Sequence, residues 1–297
     1  MFFTNLTYRG GVLLVLGAGI CWSSMGLGIR YIEVANVWQV LFFRSLALAP
    51  FLLLVLTLRA RGNPIPIIQK AGLAGVLGGI SLVFAFTGGI LAIQTTSVGN
   101  AMFLFAAAPF FAAVLARFVL KEDVRKATWR AMLVALVGIV IMVWEGVSLG
   151  RIVGNIAALV SALGFAFFTI ALRWKKLSDM LPTVLLAGVF ATIISGILCT
   201  FNGYGFDLPR HDILIALALG IFQVGAGLIL YTLGSKVVPS AELALLSMTE
   251  VVFGPFWVWL LLDETTGGYT LLGGVILLIA IAGNALSGLR RKPIPLV

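Results

Sequence analysis

The feature that most constrains this chain is a succession of ten apolar runs, each about as long as a bilayer is thick. They fall at roughly 10–31, 36–58, 69–92, 97–118, 127–144, 151–173, 182–200, 211–234, 240–261 and 268–289. About 20 apolar residues cross a ~30 Å hydrocarbon core as a helix. In hydrocarbon only helices and closed barrels satisfy their own backbone polar groups. Barrel strands alternate polar with apolar residues, whereas these runs are apolar on every side, so the expected class is an all-α polytopic membrane protein. Composition agrees, with 61% of residues hydrophobic and 10% charged, against about 45–50% and about 25% in soluble domains.

The net charge of +9 would point to nucleic acid in a soluble protein. Here the basic residues stand in short loops between runs and report topology instead. With ten spans and a cytoplasmic N-terminus, the inner segments hold 16 Lys and Arg residues, from Arg9 to Arg290, Arg291 and Lys292. The outer loops hold three, Arg30, Arg151 and Arg210. The asymmetry predicts a multi-pass protein of the cytoplasmic (inner) membrane with both ends cytoplasmic. Arg9 precedes a first run long enough to be a retained span rather than a cleaved signal peptide.

The two halves of the chain align weakly. A shift of 143 places Gly11 on Gly154, Leu16 on Leu159, Trp22 on Phe165, Arg30 on Arg173 and Tyr31 on Trp174; a shift of 142 places Phe111 on Phe253 and Lys121-Glu122 on Asp263-Glu264. Ten spans divide into five plus five, and an odd number per half forces the second half to enter from the opposite side. The expected architecture is two inverted five-helix repeats, 1–148 and 149–297, with a substrate site near the midplane between them, as in many secondary transporters.

Charges inside the runs are the first candidates for function, because each costs ~2.5–3.5 kcal/mol at a span centre. Glu250 stands about ten residues into the ninth run, or ~15 Å deep at 1.5 Å per residue. Arg44 stands within the second. Their repeat equivalents are Ala108 and Ala187, so neither charge is a by-product of the duplication. Each is open to two readings, a buried structural partner or part of a substrate or proton path. Of the neutral polar residues, Ser23, Ser24, Ser81, Thr87 and Thr169 carry hydroxyls of the kind that bond back to their own helix. Gln223 presents an amide with four hydrogen-bonding sites, and it is the repeat equivalent of Ser81. Tyr231 and Asn284 complete the polar set. Trp22, Phe103, Phe105, Phe165, Phe168 and Trp257 lie at or near mid-span, either as packing residues or as the lining of an aromatic cavity.

Several chemistries are excluded. The single histidine, His211, lies in a loop, which argues against a histidine zinc site, a haem site or a Ser-His-Asp triad inside the membrane. No GxxxxGK[ST] stretch is present for an ATP motor. The expectation is no enzyme, no cofactor, no metal and no nucleic-acid partner. The partners expected are a small-molecule substrate and the lipid bilayer, with the protein a monomer or weak homodimer.

The motifs GAGICWSSMGLGIRY (17–31), FFRSLALAP (42–50), AAPFFAAVLARFVLKED (107–123), LSMTEVVFGPFWVWLLLDE (246–264) and GGVILLIAIAGN (273–284) together resemble the drug/metabolite transporter superfamily, in its ten-span EamA-type branch. The resemblance covers nearly the whole chain. It implies export of small metabolites through a central cavity lined by spans one, three, four, six, eight and nine, and its aromatic-rich spans are similar to those of bacterial amino-acid exporters, including exporters of aromatic amino acids. On that reading Glu250 attracts an ammonium or carries a proton. Trp22, Phe105 and Phe165 stack on an apolar side chain, and Ser81, Gln223 and Tyr231 complete the substrate site. The sequence departs from the expected pattern at Val251, where span nine lacks a counterpart of Pro109; Pro255 follows four residues later and displaces any break by a turn. An exporter or flippase for organic cations or lipid-linked molecules, and a non-transport scaffold, remain as alternatives.

Overall fold

The computed structural model describes residues 6–177 and 179–289. Arg290, Arg291 and Lys292 of the charge count lie outside them. The described residues contain ten helices long and apolar enough to cross a membrane. They are α1 (Tyr8–Arg30), α2 (Val37–Ala60), α3 (Ile65–Thr95), α4 (Val98–Val119), α5 (Lys126–Ser148), α6 (Ile152–Trp174), α7 (Leu181–Phe201), α8 (Arg210–Gly234), α9 (Ser240–Leu262) and α10 (Gly268–Leu289). All ten predicted runs are present. Short polar stretches end them: Asn36 and Gln39 close a reciprocal capping box at the start of α2, and Arg61 ends that helix in the left-handed conformation. Both devices satisfy backbone groups that a helix end leaves orphaned.

The differences from the predicted runs are local. α3 begins at Ile65 rather than 69 and changes direction at Gly72 (φ +51°, ψ −147°), a conformation that glycine adopts without a β-carbon clash. α4 breaks at Ala106–Ala107 into Val98–Phe105 and Ala108–Val119. Pro109 then falls in the first turn of the second piece, where its missing N–H has no partner to lose. The displaced break expected in α9 does not occur. α9 runs unbroken with Pro255 inside it, because a proline removes one backbone bond and bends a helix without having to end it. In α8, Leu219–Ala226 is wound as a π-helix, which the run of apolar residues gave no reason to expect.

The packing obeys the predicted exchange of halves. α3 packs on α6 as α8 packs on α1; α4 packs on α6 as α9 packs on α1; α3 packs on α7 as α8 packs on α2. The remaining major pairs, α2 with α7 and α5 with α10, map onto themselves, as they must if a pseudo-two-fold axis in the membrane plane passes between them. Six helices follow one another in contact, α8–α1–α9–α4–α6–α3, and the α2/α7 pair closes the ring by touching both α3 and α8. Small residues permit the tight crossings. A β-carbon on Gly88 of α3 would lie 2.6 Å from the Ala157 carbonyl oxygen of α6, and one on Gly164 of α6 would lie 2.8 Å from the Ser81 carbonyl oxygen of α3. Such close backbone approach is how helices associate where both neighbours and lipid are apolar.

Candidate functional site

The aromatic site candidates predicted from sequence, and Glu250, fall on helices of the ring in two groups, here called walls. The first is formed by α1, α8 and α9. Gly19 of α1 marks the crossing with α9: a β-carbon there would lie 3.0 Å from Thr249 Cβ and 3.6 Å from the Glu250 backbone nitrogen. One turn further along α1, Trp22 packs against Tyr231 of α8 in a tilted arrangement, with centroids 5.3 Å apart and ring planes at 41°. Gly227 gives the indole room, since a β-carbon there would meet its Nε1 at 2.5 Å. Along α9, Glu250, Phe253 and Trp257 recur at the i, i+3, i+7 spacing of one helical face, and all three are half-buried. The Phe253 and Trp257 rings lie 5.8 Å apart, and the Trp257 indole N–H donates to the buried Ser23 hydroxyl at 2.9 Å. Among the described residues the Glu250 carboxylate has neither an ion pair nor a hydrogen bond.

The second wall is formed by α3, α4 and α6. Gly89 of α3 is its meeting point, with Met25 of α1, the Ser161 hydroxyl and the Phe105 ring 3.0, 3.4 and 3.7 Å from where its β-carbon would stand. Phe165 shares a face of α6 with Ala158, Ser161, Ala162 and Phe168, by spacings of three, four and seven. Those four neighbours are buried, yet Phe165 is 49% exposed. The outward face of α6 is a different one, carrying Ile156, Leu163 and Phe167. Phe165 is thus the one exposed side chain among these five, the arrangement expected where a helix face borders a gap between helices.

The polar candidates separate. Gln223 lies on the π-helical stretch of α8, 6% exposed, with its Oε1 shielded and unpaired among the described residues. A π-turn offsets the helical ladder and recurs at functional sites. Ser81 and Thr169 return their hydroxyls to Leu77 and Phe165 carbonyls in their own helices, and Ser81 makes no bond to Gln223. Asn284 is placed elsewhere: it accepts from Thr128 at 2.8 Å and from Arg125 at 3.2 Å, where α10 meets α5. Sequence reasoning did not name Phe253 as a site residue, although its spacing from Glu250 was visible.

Each end of the ring carries an arginine–glutamate pair, and the two pairs are equivalent in the repeat. Arg30 at the end of α1 meets Glu264 beyond α9; Arg173 at the end of α6 meets Glu122 beyond α4. They lie at opposite ends of the bundle and differ in strength. Arg30 Nε and Nη2 bind Glu264 at 2.6 and 3.1 Å, Glu264 also accepts from Val98 N–H at 2.7 Å, and Arg30 donates to the Thr96 carbonyl at 2.7 Å. The Arg30 and Glu264 side chains are 26% and 21% exposed, against 48% and 45% for Arg173 and Glu122, which make a single contact. The Arg30–Glu264 pair, at the end away from the basic loops, is therefore the more firmly bonded of the two equivalent pairs. There the α1–α2 loop is also tied down by Asp212, whose carboxylate accepts from Glu33, Val34 and Ala35 N–H at 3.1, 2.9 and 2.9 Å.

Ten helices of membrane-crossing length among the described residues and an inverted repeat define a polytopic membrane protein of the five-plus-five type. The chain belongs to the EamA-like transporter family, which matches residues 9–144 and 152–286. It is similar to the pseudopaline exporter CntI of Pseudomonas aeruginosa PAO1, with 23% identity over 283 residues, covering 92% of this chain and 94% of the exporter. The same exporter from strain UCBPP-PA14 is 24% identical over 285 residues, with the same coverage. A solved structure titled "Crystal structure of protein" covers 96% of this chain and is itself wholly covered, at 18% identity and a TM-score of 0.65; it shares the fold. The family is one of transporters of metabolites, not of enzymes.

Proposed function

We propose that this protein exports amino acids with aromatic or other apolar side chains, or similar small amphipathic metabolites, by alternating access through the ring interior. The observation that carries the reading is the half-buried Glu250 carboxylate, unpartnered among the described residues and followed along its face by Phe253 and Trp257. An ammonium docking there would gain a charge-assisted bond, and the aromatic stripe and Trp22 would hold an apolar side chain. Phe105 and Phe165 serve the same end from the opposite wall. Gln223, its Oε1 unpaired among the described residues, takes the orienting role for which Ser81 was the other candidate, since the Ser81 hydroxyl is already committed to Leu77.

The two equivalent latches supply a mechanism. The Arg30–Glu264 pair is the tighter of the two and the Arg173–Glu122 pair the looser, and exchange of the two halves would reverse their states. With the basic loops cytoplasmic, the bundle is closed to the outside and ready to load from the cytoplasm. The protein works in the cytoplasmic membrane with both ends inside, as a monomer or weak homodimer. The similarity to an exporter of pseudopaline supports export of a metabolite; the amino-acid class rests on Glu250 and its aromatic neighbours.

A competition binding screen of the purified protein across the twenty amino acids tests the proposal, with simple organic cations as controls. Saturable competition by apolar and aromatic amino acids, weakened in Glu250→Gln, is expected. Competition by the organic cations alone would replace this reading with a cation exporter. Binding of neither would sink it.

A further inference from the structure

We propose that Arg44 is a carboxylate-binding group of the transport pathway, so that the exported solute bears a carboxylate. The proposal deepens the export reading above and rests on it. Arg44 is 2% exposed, and its Nε and Nη1 are shielded and without a hydrogen-bond partner among the described residues. The ion pairs among the described residues involve Arg30, Arg59, Arg117 and Arg173, not Arg44. What the guanidinium has is the face of the Phe86 ring, 4.6 Å from Cζ to the centroid. A ring satisfies one face of the guanidinium and leaves its in-plane N–H edge free. That edge is the one that binds carboxylates in a two-pronged fashion.

The place is right for a ligand. Phe86 is half-buried and packs against both of the larger apolar clusters of the protein. Gly89, three residues further on the same face of α3, is where Phe105, Met25 and Ser161 converge. Arg44 lies seven residues into α2 and Phe105 seven residues into α4, and both helices start at the same end of the bundle. At 1.5 Å per residue both are ~10 Å deep. The guanidinium thus sits at the level of the second aromatic wall and next to it. An arginine is not relieved by deprotonation, and an ion buried without a partner is destabilising. A bound anion is the counter-charge that such a group lacks here.

The test uses purified full-length protein in detergent and two probes, phenylacetate and phenethylamine, with the thermal unfolding midpoint as the readout. Phenylacetate is expected to stabilise the wild type saturably and to bind Arg44→Gln about tenfold or more weakly, with the phenethylamine response kept. Arg44→Lys, which retains the charge and loses the fork, is expected to fall between. Should Arg44→Gln fail to fold, Arg44→Met provides the test: its unliganded midpoint is expected to equal or exceed that of the wild type, because an unpaired charge is gone, while the phenylacetate response disappears. An equal phenylacetate response in wild type and variants overturns the proposal, as does no response in the wild type, the result expected if Arg44 instead pairs with Glu250 in another state. If amino acids fail to bind while the Arg44-dependent phenylacetate response persists, the amino-acid reading falls and the carboxylate site stands. The converse result removes only this inference.

Discussion

Neutralising the two equivalent latches should have unequal consequences. In Glu264→Gln the charge is lost and one of the two accepting oxygens becomes an NH2 that cannot accept, so at least one contact from Arg30 is lost outright and the remaining ones, from Arg30 and the Val98 N–H, weaken. A hydrogen bond to a charged group contributes about 1.5–3 kcal/mol, so losing one such bond and weakening the others gives a gross loss of about 3 kcal/mol. Partial exposure of the pair, 26% and 21%, reduces that to about 2 kcal/mol, or a shift of about 30-fold in the ratio of open to closed at that end. The half-exposed Arg173–Glu122 contact belongs to the class of surface pairs that contribute about 0.5 kcal/mol, so Glu122→Gln should shift its end about twofold. Phe165→Cys, in a background with Cys21 and Cys199 replaced by alanine, reports the opening, because Phe165 is the exposed side chain of an otherwise buried face, 13 residues from the start of α6. Labelling by a membrane-impermeant maleimide from the side opposite the basic loops should accelerate about 30-fold in Glu264→Gln and stay near the parent rate in Glu122→Gln. Equal acceleration by both substitutions, or none by Glu264→Gln, would refute the assignment of these pairs as unequal gates.

Two further outcomes follow from contacts already described. Asp212→Ala leaves three N–H groups of the α1–α2 loop without their acceptor; at ~1–3 kcal/mol for each buried donor that stays unsatisfied, the thermal midpoint in detergent should fall clearly, and an unchanged midpoint would show that water replaces the carboxylate. Trp257→Phe removes the single 2.9 Å bond to Ser23 and should cost ~1 kcal/mol of stability, read by the same unfolding assay, with amino-acid binding weakened less than in Glu250→Gln.

The ten spans and their duplication were legible because hydropathy and loop charge act locally, residue by residue. The repeat also singled out Arg30 with Arg173 and Glu122 with Glu264, beyond α4 and α9. It did not show that Arg30 reaches Glu264, 234 residues away, since pairing across a bundle depends on which helices become neighbours. Glu250 and Arg44 stood out as charges in apolar runs, but their lack of partners among the described residues is a property of what surrounds them. Ser81 and Gln223 look equivalent in sequence. They differ in the fold because a serine hydroxyl can return to its own backbone, whereas the Gln223 amide keeps a shielded oxygen, unpaired among the described residues. Pro255 illustrates the limit from the other side: the residue signals a lost donor, and only the surrounding packing decides between a bend and a break.

The most direct test of the central claim is counterflow of radiolabelled L-phenylalanine, within a panel of the other amino acids, into proteoliposomes holding the purified protein. The account predicts saturable exchange by the wild type for aromatic or other apolar amino acids, and a loss of about 10- to 150-fold in apparent affinity for Glu250→Gln, the equivalent of one charged hydrogen bond. Flux that is absent for every amino acid, or identical in wild type and Glu250→Gln, would contradict it.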